Sequence, residues 1–473
     1  MYADLGPDPE PLGRRAGLLM ERIAGLAEPI RSSPQSARGF RPMKTNGHPH
    51  TVENMTTSLE QEPLHVVVAG AGVGGLEAVM ALRDAAGARV RITLVSPDED
   101  FDYVPLSVGD PFAHGRARRI PLDQVARDFK VERCVDSMSA VVPSAHSISL
   151  ASGAELGYDK LIIAAGAKRE AVYEHATTFR GQEDVEALHG LVQDVEGGYA
   201  RRIAFVVPPG VAWTLPLYEL ALMTAQRAFE MCMDVELTVV TPEEQPLAVF
   251  GDAASADVRR LLDEAGIALR CDTSVEVPEA GTLLLHPGGE SISCDRVVAL
   301  PVSRGNWIAG LPSDADGFLP IDAFTRVGNC DDVYAVGDGA NFPLKQGGIA
   351  CQQADVAAED IARAAGADIE ARTFRPVLRG QLLTGGKPQF MRRDVRAVTA
   401  GKEDSTQHLL WWPPAKIAGK YLAPYIALQD EQESTWSPAE NIRSRVLRSP
   451  VLLTSAADGD FELELGAYAL AAR

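Results

Sequence analysis

Cysteine is scarce in this chain: six in 473 residues, at Cys134, Cys232, Cys271, Cys294, Cys330 and Cys351, with no CxxC pair or other metal-ligand spacing. That scatter excludes a disulfide scaffold and a thiolate zinc site, and fits reduced thiols in a cytoplasmic protein; no metal site is expected. No apolar run reaches the ~18 residues that a membrane-spanning helix requires. Positive charge is also in deficit, with 45 basic against 65 acidic residues and a formal net charge of -20, so the average field repels phosphate backbones and nucleic acid is excluded as a partner. Self-similarity at a period of ~20 to 50 residues is missing, which excludes solenoids and propellers. The first 55 residues carry arginines and prolines but no apolar core of a signal peptide.

What remains is an ordinary globular composition, 46% apolar and 23% charged, in a chain long enough for two or three packed domains. Residues 1–60 read as an extension outside the fold: "KTNGHPHTVEN" has linker composition, His48 and His50 read as part of a solvated tail, and Met55 is a candidate start of translation. Folded sequence begins at "LHVVVAG", whose consecutive apolar residues predict a strand buried on both faces. "AGVGGLEAVMALRDA" then has helical periodicity, and "VRITLVS" predicts a second buried strand, closing a β-α-β unit of about 30 residues. Gly70, Gly72 and Gly75 stand in GxGxxG spacing between that strand and that helix. In this context the first glycine permits a sharp turn, the second lets a pyrophosphate approach bare backbone, and the third lets helix pack on strand. The acid that normally ends the second strand and holds a ribose is replaced by Ser96, with Asp98 two residues on; either reaches that place.

A second α/β unit is predicted downstream, with strands "IAFVV", "VELTVV" and "RVVAL" around helices at Leu217–Phe229 and Ala253–Ala265. A polar helical connector, Gln182–Glu196, precedes it, and "DVYAVGD" leads into a helix over Gly348–Ala365. The expected fold is α/β: two Rossmann-like dinucleotide-binding domains with a C-terminal α+β region.

Three stretches in this order, "GAGVGG", "YDKLIIAAGA" and "DVYAVGDGA", resemble the two-dinucleotide-domain flavoproteins, the pyridine nucleotide-disulfide oxidoreductase superfamily; the second is similar to the family's YDxLxxATG, with Ala165 in place of Thr. The resemblance covers roughly residues 64–365. It implies FAD bound by the turn of Gly70, Ala71, Gly72, Val73, Gly74 and Gly75, by Ser96, by Ala165 and Gly166, and by Gly337 and Asp338 on the ribityl or pyrophosphate side. Read alone, Asp338 is also a turn or N-cap residue. The implied domains are 61–170 plus 321–372 for FAD, 171–320 for a second, NAD(P)-binding-like unit, and 373–473 as an interface or flavin-covering region. "ITLVSPDEDFDYVPLSVG" looks like the flavin-facing loop of sulfide:quinone oxidoreductases and type II NADH dehydrogenases, which implies Pro105 beside the isoalloxazine. The CxxxxC pair of the true disulfide reductases is missing from Leu76–Asp84, which excludes dithiol exchange.

At the second unit a nicotinamide dinucleotide needs glycine-turn N–H groups. "VVPPGVAWTLPLYELA" offers Pro208 and Pro209, which lack them, and the bulk of Trp213, so this site reads as degenerate. The long proline-rich loop and "TPEEQPLAVFG" are similar to sulfide:quinone oxidoreductases and flavocytochrome c sulfide dehydrogenases, but the reactive cysteine those enzymes carry in this loop is replaced by Val211, Ala212 and Trp213. Glu219 is a candidate proton carrier, or an exposed helix residue. Lys345 in "KQGG", with the helix N-terminus behind it, would favour the anionic reduced flavin; the alternative is a solvated lysine. Cys351 on that helix is either a redox thiol with its pKa lowered by the helix N-terminus or a small core residue.

The segment "LLWWPPAKIAGKYLAPYIAL" has a helical stripe of Ala418, Tyr421, Leu422 and Tyr425 from Ile417 on. It predicts a quinone pocket or peripheral membrane contact, or else a dimer or domain interface in a homodimer. The resulting expectation is an FAD-dependent oxidoreductase of sulfide:quinone oxidoreductase type without the usual cysteines. It would take electrons from a small-molecule donor and pass them to an acceptor such as a quinone, in the cytoplasm or peripherally on a membrane. Two alternatives stand beside it: a type II NAD(P)H dehydrogenase, and a non-catalytic scaffold of the same fold.

Overall fold

The computed structural model describes residues 62–114, 118–395 and 403–430. The expected N-terminal extension, with His48, His50 and Met55, and residues 431–473 of the C-terminal region lie outside the described residues.

In chain order the elements that position the site begin with β1 (Leu64–Ala69), α1 (Val73–Ala86), β2 (Val90–Val95), β3 (Asp100–Tyr103), β4 (Glu132–Cys134) and β5 (Lys160–Ile163). The second unit supplies β6 (Thr177–Thr178), β7 (Arg202–Val206), α2 (Leu215–Glu230), β8 (Glu236–Val240), α3 (Asp252–Glu264), β9 (Ala268–Arg270) and β10 (Arg296–Ala299). The chain then returns through β11 (Arg326–Val327), β12 (Cys330–Ala335) and α4 (Gly347–Ala364). It ends in β13 (Val377–Leu382), β14 (Gln389–Asp394), β15 (Glu403–Thr406) and α5 (Leu422–Asp430).

The first sheet has the order β11-β12-β5-β1-β2-β4, parallel except for β11. Alternation along β1 explains why it reads as one apolar run. Val66 and Val68 pack with α1 and α4 on one face, whereas Val67 and Ala69 pack on the other with Leu161 and Val333. The second sheet, β6-β10-β7-β8-β9, is wholly parallel and is the core of the second α/β unit. Helices form at α2, α3 and α4 within two residues of the bounds expected from periodicity. The antiparallel sheet β13-β14-β15 packs on α2 through Leu378, Leu382 and Met391. Gly380 lies so close that a Cβ there would stand 2.4 Å from the Phe250 ring.

One expectation fails at the C-terminus: the helical stripe drawn from Ile417 becomes helix only at Leu422. Residues 417–421 run without helical turns because Gly419 passes where a Cβ would sit 2.7 Å from a Glu77 carboxylate oxygen and 2.9 Å from Cys351 Sγ. Ile417, Tyr421, Leu422 and Tyr425 nevertheless all enter the core of the first unit, beside α1 and α4. Among the described residues no helix is long and apolar enough to cross a membrane.

The turn between β1 and α1 is sterically closed. Gly70 has φ +112° and a Cβ on it would lie 2.3 Å from Ala164 O; a Cβ on Gly75 would lie 1.9 Å from Gly70 O. Gly72, the N-cap of α1 at φ -75°, has nothing within 4 Å of an added Cβ. Gly70→Ala is therefore expected to cost about 2 kcal/mol or more of apoprotein stability, and Gly72→Ala within about 0.5 kcal/mol. Urea denaturation of both variants checks this, and equal midpoints would refute it.

Candidate active site

The open space in front of Gly72 is one end of a cavity of about 360 Å³. Its wall includes Gly72, Val73 and Gly74 from the first turn of α1, Pro105 after β3, Gly166 after β5, Gly337 and Asp338 after β12, and Lys345 before α4. Eight of the residues singled out from sequence for cofactor binding thus converge on one space. Gly70 and Gly75 close the turn behind it, with Ala71 buried between. Ala165 is held by its carbonyl, which with that of Gly166 accepts from Asn306 Nδ2 at 3.3 and 3.0 Å. Asn306 carried no motif and escaped the sequence reading. Ser96 and Asp98 are not on the cavity wall; they hydrogen-bond each other at 3.1 Å at the end of β2.

The residues present fit a dinucleotide. Bare backbone at Gly72, with the N-terminus of α1 directly behind it, is suited to a pyrophosphate. Opposite, the Gly337 turn (φ +76°) presents Asp338 to the cavity and is fixed from beneath by Gln353, whose Oε1 accepts from Gly337 N at 2.7 Å. Gln353 Nε2 is buried without a partner among the described residues. Burial pushes the Asp338 carboxyl up, while Arg169 and Lys345 pull it down. Lys345 is not a solvated lysine: burial pulls its ammonium down to about 8, against Asp338 and Asp314. It donates to Ala340 O and lies 3.6 Å from the centre of the Phe318 ring. Beside it, the N-cap Gln346 accepts from Ile349 N at 2.9 Å and directs the first turn of α4 at the cavity.

Cys351 is not on the cavity wall; it is buried one turn further into α4. Its thiol is pushed well above the ordinary value by burial, then by Glu77 and Asp355. Of the two alternatives, the burial is that of a small core residue, and the shift runs opposite to the lowering that the redox alternative invoked, because desolvation and two carboxyls outweigh a dipole that fades beyond the first turn.

Glu219 is wholly buried on α2, where the exposed-helix alternative would have had it in water. Its Oε1 accepts from Leu383 N at 2.8 Å and pairs with Lys416 Nζ, which also donates to Gln381 O at 3.3 Å. Its Oε2 is buried with no partner among the described residues, and both Glu219 and Lys416 line the cavity. Burial raises the carboxyl and lowers the ammonium, and the pair opposes both shifts. Desolvation thus draws the proton affinities of the two groups closer together than they are in water. Lys416 stood in the sequence only as one lysine of an aromatic-rich segment.

The second unit closes on itself. Val211, Ala212 and Trp213 face this same cavity, and the Trp213 ring meets Phe250 edge to face at 5.7 Å. Pro216 sits in the first turn of α2, withholding an N–H. After β8, where a dinucleotide site keeps its ribose acid, Glu243 accepts from Thr214 at 3.1 Å, Tyr218 at 2.7 Å and Thr241 at 3.0 Å. The chain's own hydroxyls occupy that carboxylate.

Comparison with known proteins agrees with this geometry. The sulfide-quinone reductase of Aquifex aeolicus is 28% identical over 212 residues, which is 42% of this chain and 48% of that protein, so the chain spans about half its length. An external alternative NAD(P)H-ubiquinone oxidoreductase of Arabidopsis thaliana mitochondria is 23% identical over 319 residues, 59% of this chain and 54% of that one. Among solved structures, the sulfide:quinone oxidoreductase of Aquifex aeolicus superposes with a TM-score of 0.67 at 19% identity, covering 80% of this chain and 92% of that one, a likeness of fold. Residues 64–360, well over half the chain, match the family model described as pyridine nucleotide-disulphide oxidoreductase, and the chain belongs to that family of FAD-dependent oxidoreductases.

Proposed function

We propose that this protein passes an electron pair from a reduced small-molecule donor, through FAD, to a quinone, and that Glu219 and Lys416 carry a proton between the cavity and the acceptor. FAD, when bound, supplies the two-electron chemistry. Gly72–Gly74, Gly166 and Asp338 would hold it, with Lys345 and the N-terminus of α4 supplying positive potential. The observation that carries the reading is the buried Glu219–Lys416 pair on the cavity wall, with one carboxylate oxygen left unpaired. Reducing a quinone to a quinol consumes two electrons and two protons, so the acceptor side needs a proton source shielded from water. Both relatives above carry a quinone in their names, beside sulfide in one and NAD(P)H in the other. Exposed Leu409 and Trp412, on the segment that leads to Lys416, suit peripheral contact with a bilayer that stores such a quinone.

For the donor, two observations weigh against a nicotinamide dinucleotide: the proline-rich loop faces the cavity, and Glu243 is already engaged by three hydroxyls. Thiolate-held sulfur has no support either, since no cysteine lines the cavity among the described residues. A small reductant that is neither is the reading we adopt.

Two outcomes follow. Excess NADH, added anaerobically to the flavin-loaded protein, should leave the visible flavin absorbance unchanged for minutes; rapid bleaching would restore the type II dehydrogenase alternative. Glu219→Gln and Lys416→Met should each slow reoxidation of the dithionite-reduced protein by a water-soluble quinone about 100-fold, with flavin content unchanged, as read by stopped-flow absorbance. Wild-type rates in both variants would remove the pair from the mechanism.

A further inference from the structure

Lys416 belongs to a stretch without sheet pairing or helix of its own, so something must hold it against Glu219. Glu77, on α1 two residues beyond the last glycine of the turn, is completely buried. Its Oε1 accepts from Tyr421 N at 2.9 Å and its Oε2 from Leu422 N at 2.7 Å, so one carboxylate receives the free N–H groups that open α5. That is a cap supplied from 344 residues away in sequence; burial pushes the Glu77 carboxyl up, and these N–H groups pull it down. Gly419 crosses directly over this carboxylate, with no room for a side chain. Two residues earlier, Ile417 donates its N–H to Tyr103 Oη at 2.9 Å and lays its side chain on Gly347 at the start of α4. Beyond the cap, Tyr421 Oη bonds Asp84 at 2.8 Å and Tyr425 Oη bonds Asp128 at 2.9 Å.

We propose that Glu77 is a positioning residue: by capping α5 it fastens residues 417–422 across the first unit and thereby sets Lys416 on Glu219 in the cavity. Reactive groups need placement within ~0.5 Å, which a loop attains only when its ends are fixed. Tyr103 fixes one end of this segment and Glu77 the other. The inference rests on the proton-carrying reading of the pair, but its structural half is measurable without it.

The test uses the flavin-loaded full chain. In Glu77→Ala, hydrogen exchange at the Tyr421 and Leu422 amides should quicken at least about tenfold. Reoxidation by the water-soluble quinone should fall to the Lys416→Met rate, and the Glu77→Ala/Lys416→Met double variant should be no slower than Lys416→Met alone. Glu77→Gln keeps one acceptor oxygen and should be intermediate in both readouts. Unchanged exchange, or losses that add in the double variant, would overturn the proposal. If Glu77→Ala fails to fold or to retain flavin, Leu422→Pro removes one of the two donors at a first-turn position that tolerates proline; exchange is then read at the Tyr421 amide alone, with the same quickening and the same loss of reoxidation rate expected. Equal reoxidation by wild type and Lys416→Met would sink the proton-carrying role instead, and the exchange comparison would still decide whether Glu77 fastens the segment.

Discussion

The contact between the main chains of Gly70, Gly75 and Ala164 leaves no room for a single added carbon, and the rest of the site hangs from it. Because α1 can approach the ends of β1 and β5 this closely, its first turn opens onto the cavity at Gly72 instead of lying above it. The same approach drives the next turn of α1 into the interior, where Glu77 is sealed from water. A buried carboxylate must find donors or lose its charge. Here the donors are the N–H groups of Tyr421 and Leu422, so a backbone constraint at the start of the fold decides where its end docks.

Around the cavity, charge is arranged by desolvation. Lys345 sits with its ammonium drawn down toward neutrality beside Asp338, and Glu219 and Lys416 face each other in the same cavity. Each of these groups would be ordinary in water. Removed from it, they become sensitive to whatever charge appears beside them, which is the property that electron and proton transfer need. Cys351 shows the opposite use of the same physics: burial and two nearby carboxyls push its thiol up, and its side chain packs in the core of the first unit.

The two α/β units share their architecture and diverge at their loops. In the first, Gly72 borders open space; in the second, Pro208 and Pro209, which lack N–H groups, and Trp213 stand after the strand, and Glu243 is taken up by neighbouring hydroxyls. The loop after β7 lends Val211, Ala212 and Trp213 to the wall of the cavity onto which the first unit's glycine turn opens.

The sequence alone determined the two parallel-sheet units and the glycine turn, because apolar periodicity and glycine spacing are local signals that survive in one dimension; the places of Pro105, Asp338 and Lys345 follow from the family resemblance and not from periodicity or spacing. It also shows two prolines in the second turn, each withholding an N–H in any fold. Only the tertiary structure decided that Ser96 lies off the cavity wall, that the Ile417 stripe is not yet helix, that Cys351 is buried behind the cavity, and that Glu219 meets Lys416 from 197 residues away. Those outcomes depend on burial and on partners remote in sequence. No pattern along the chain records them, because desolvation is a property of what surrounds a group once the chain has closed around it.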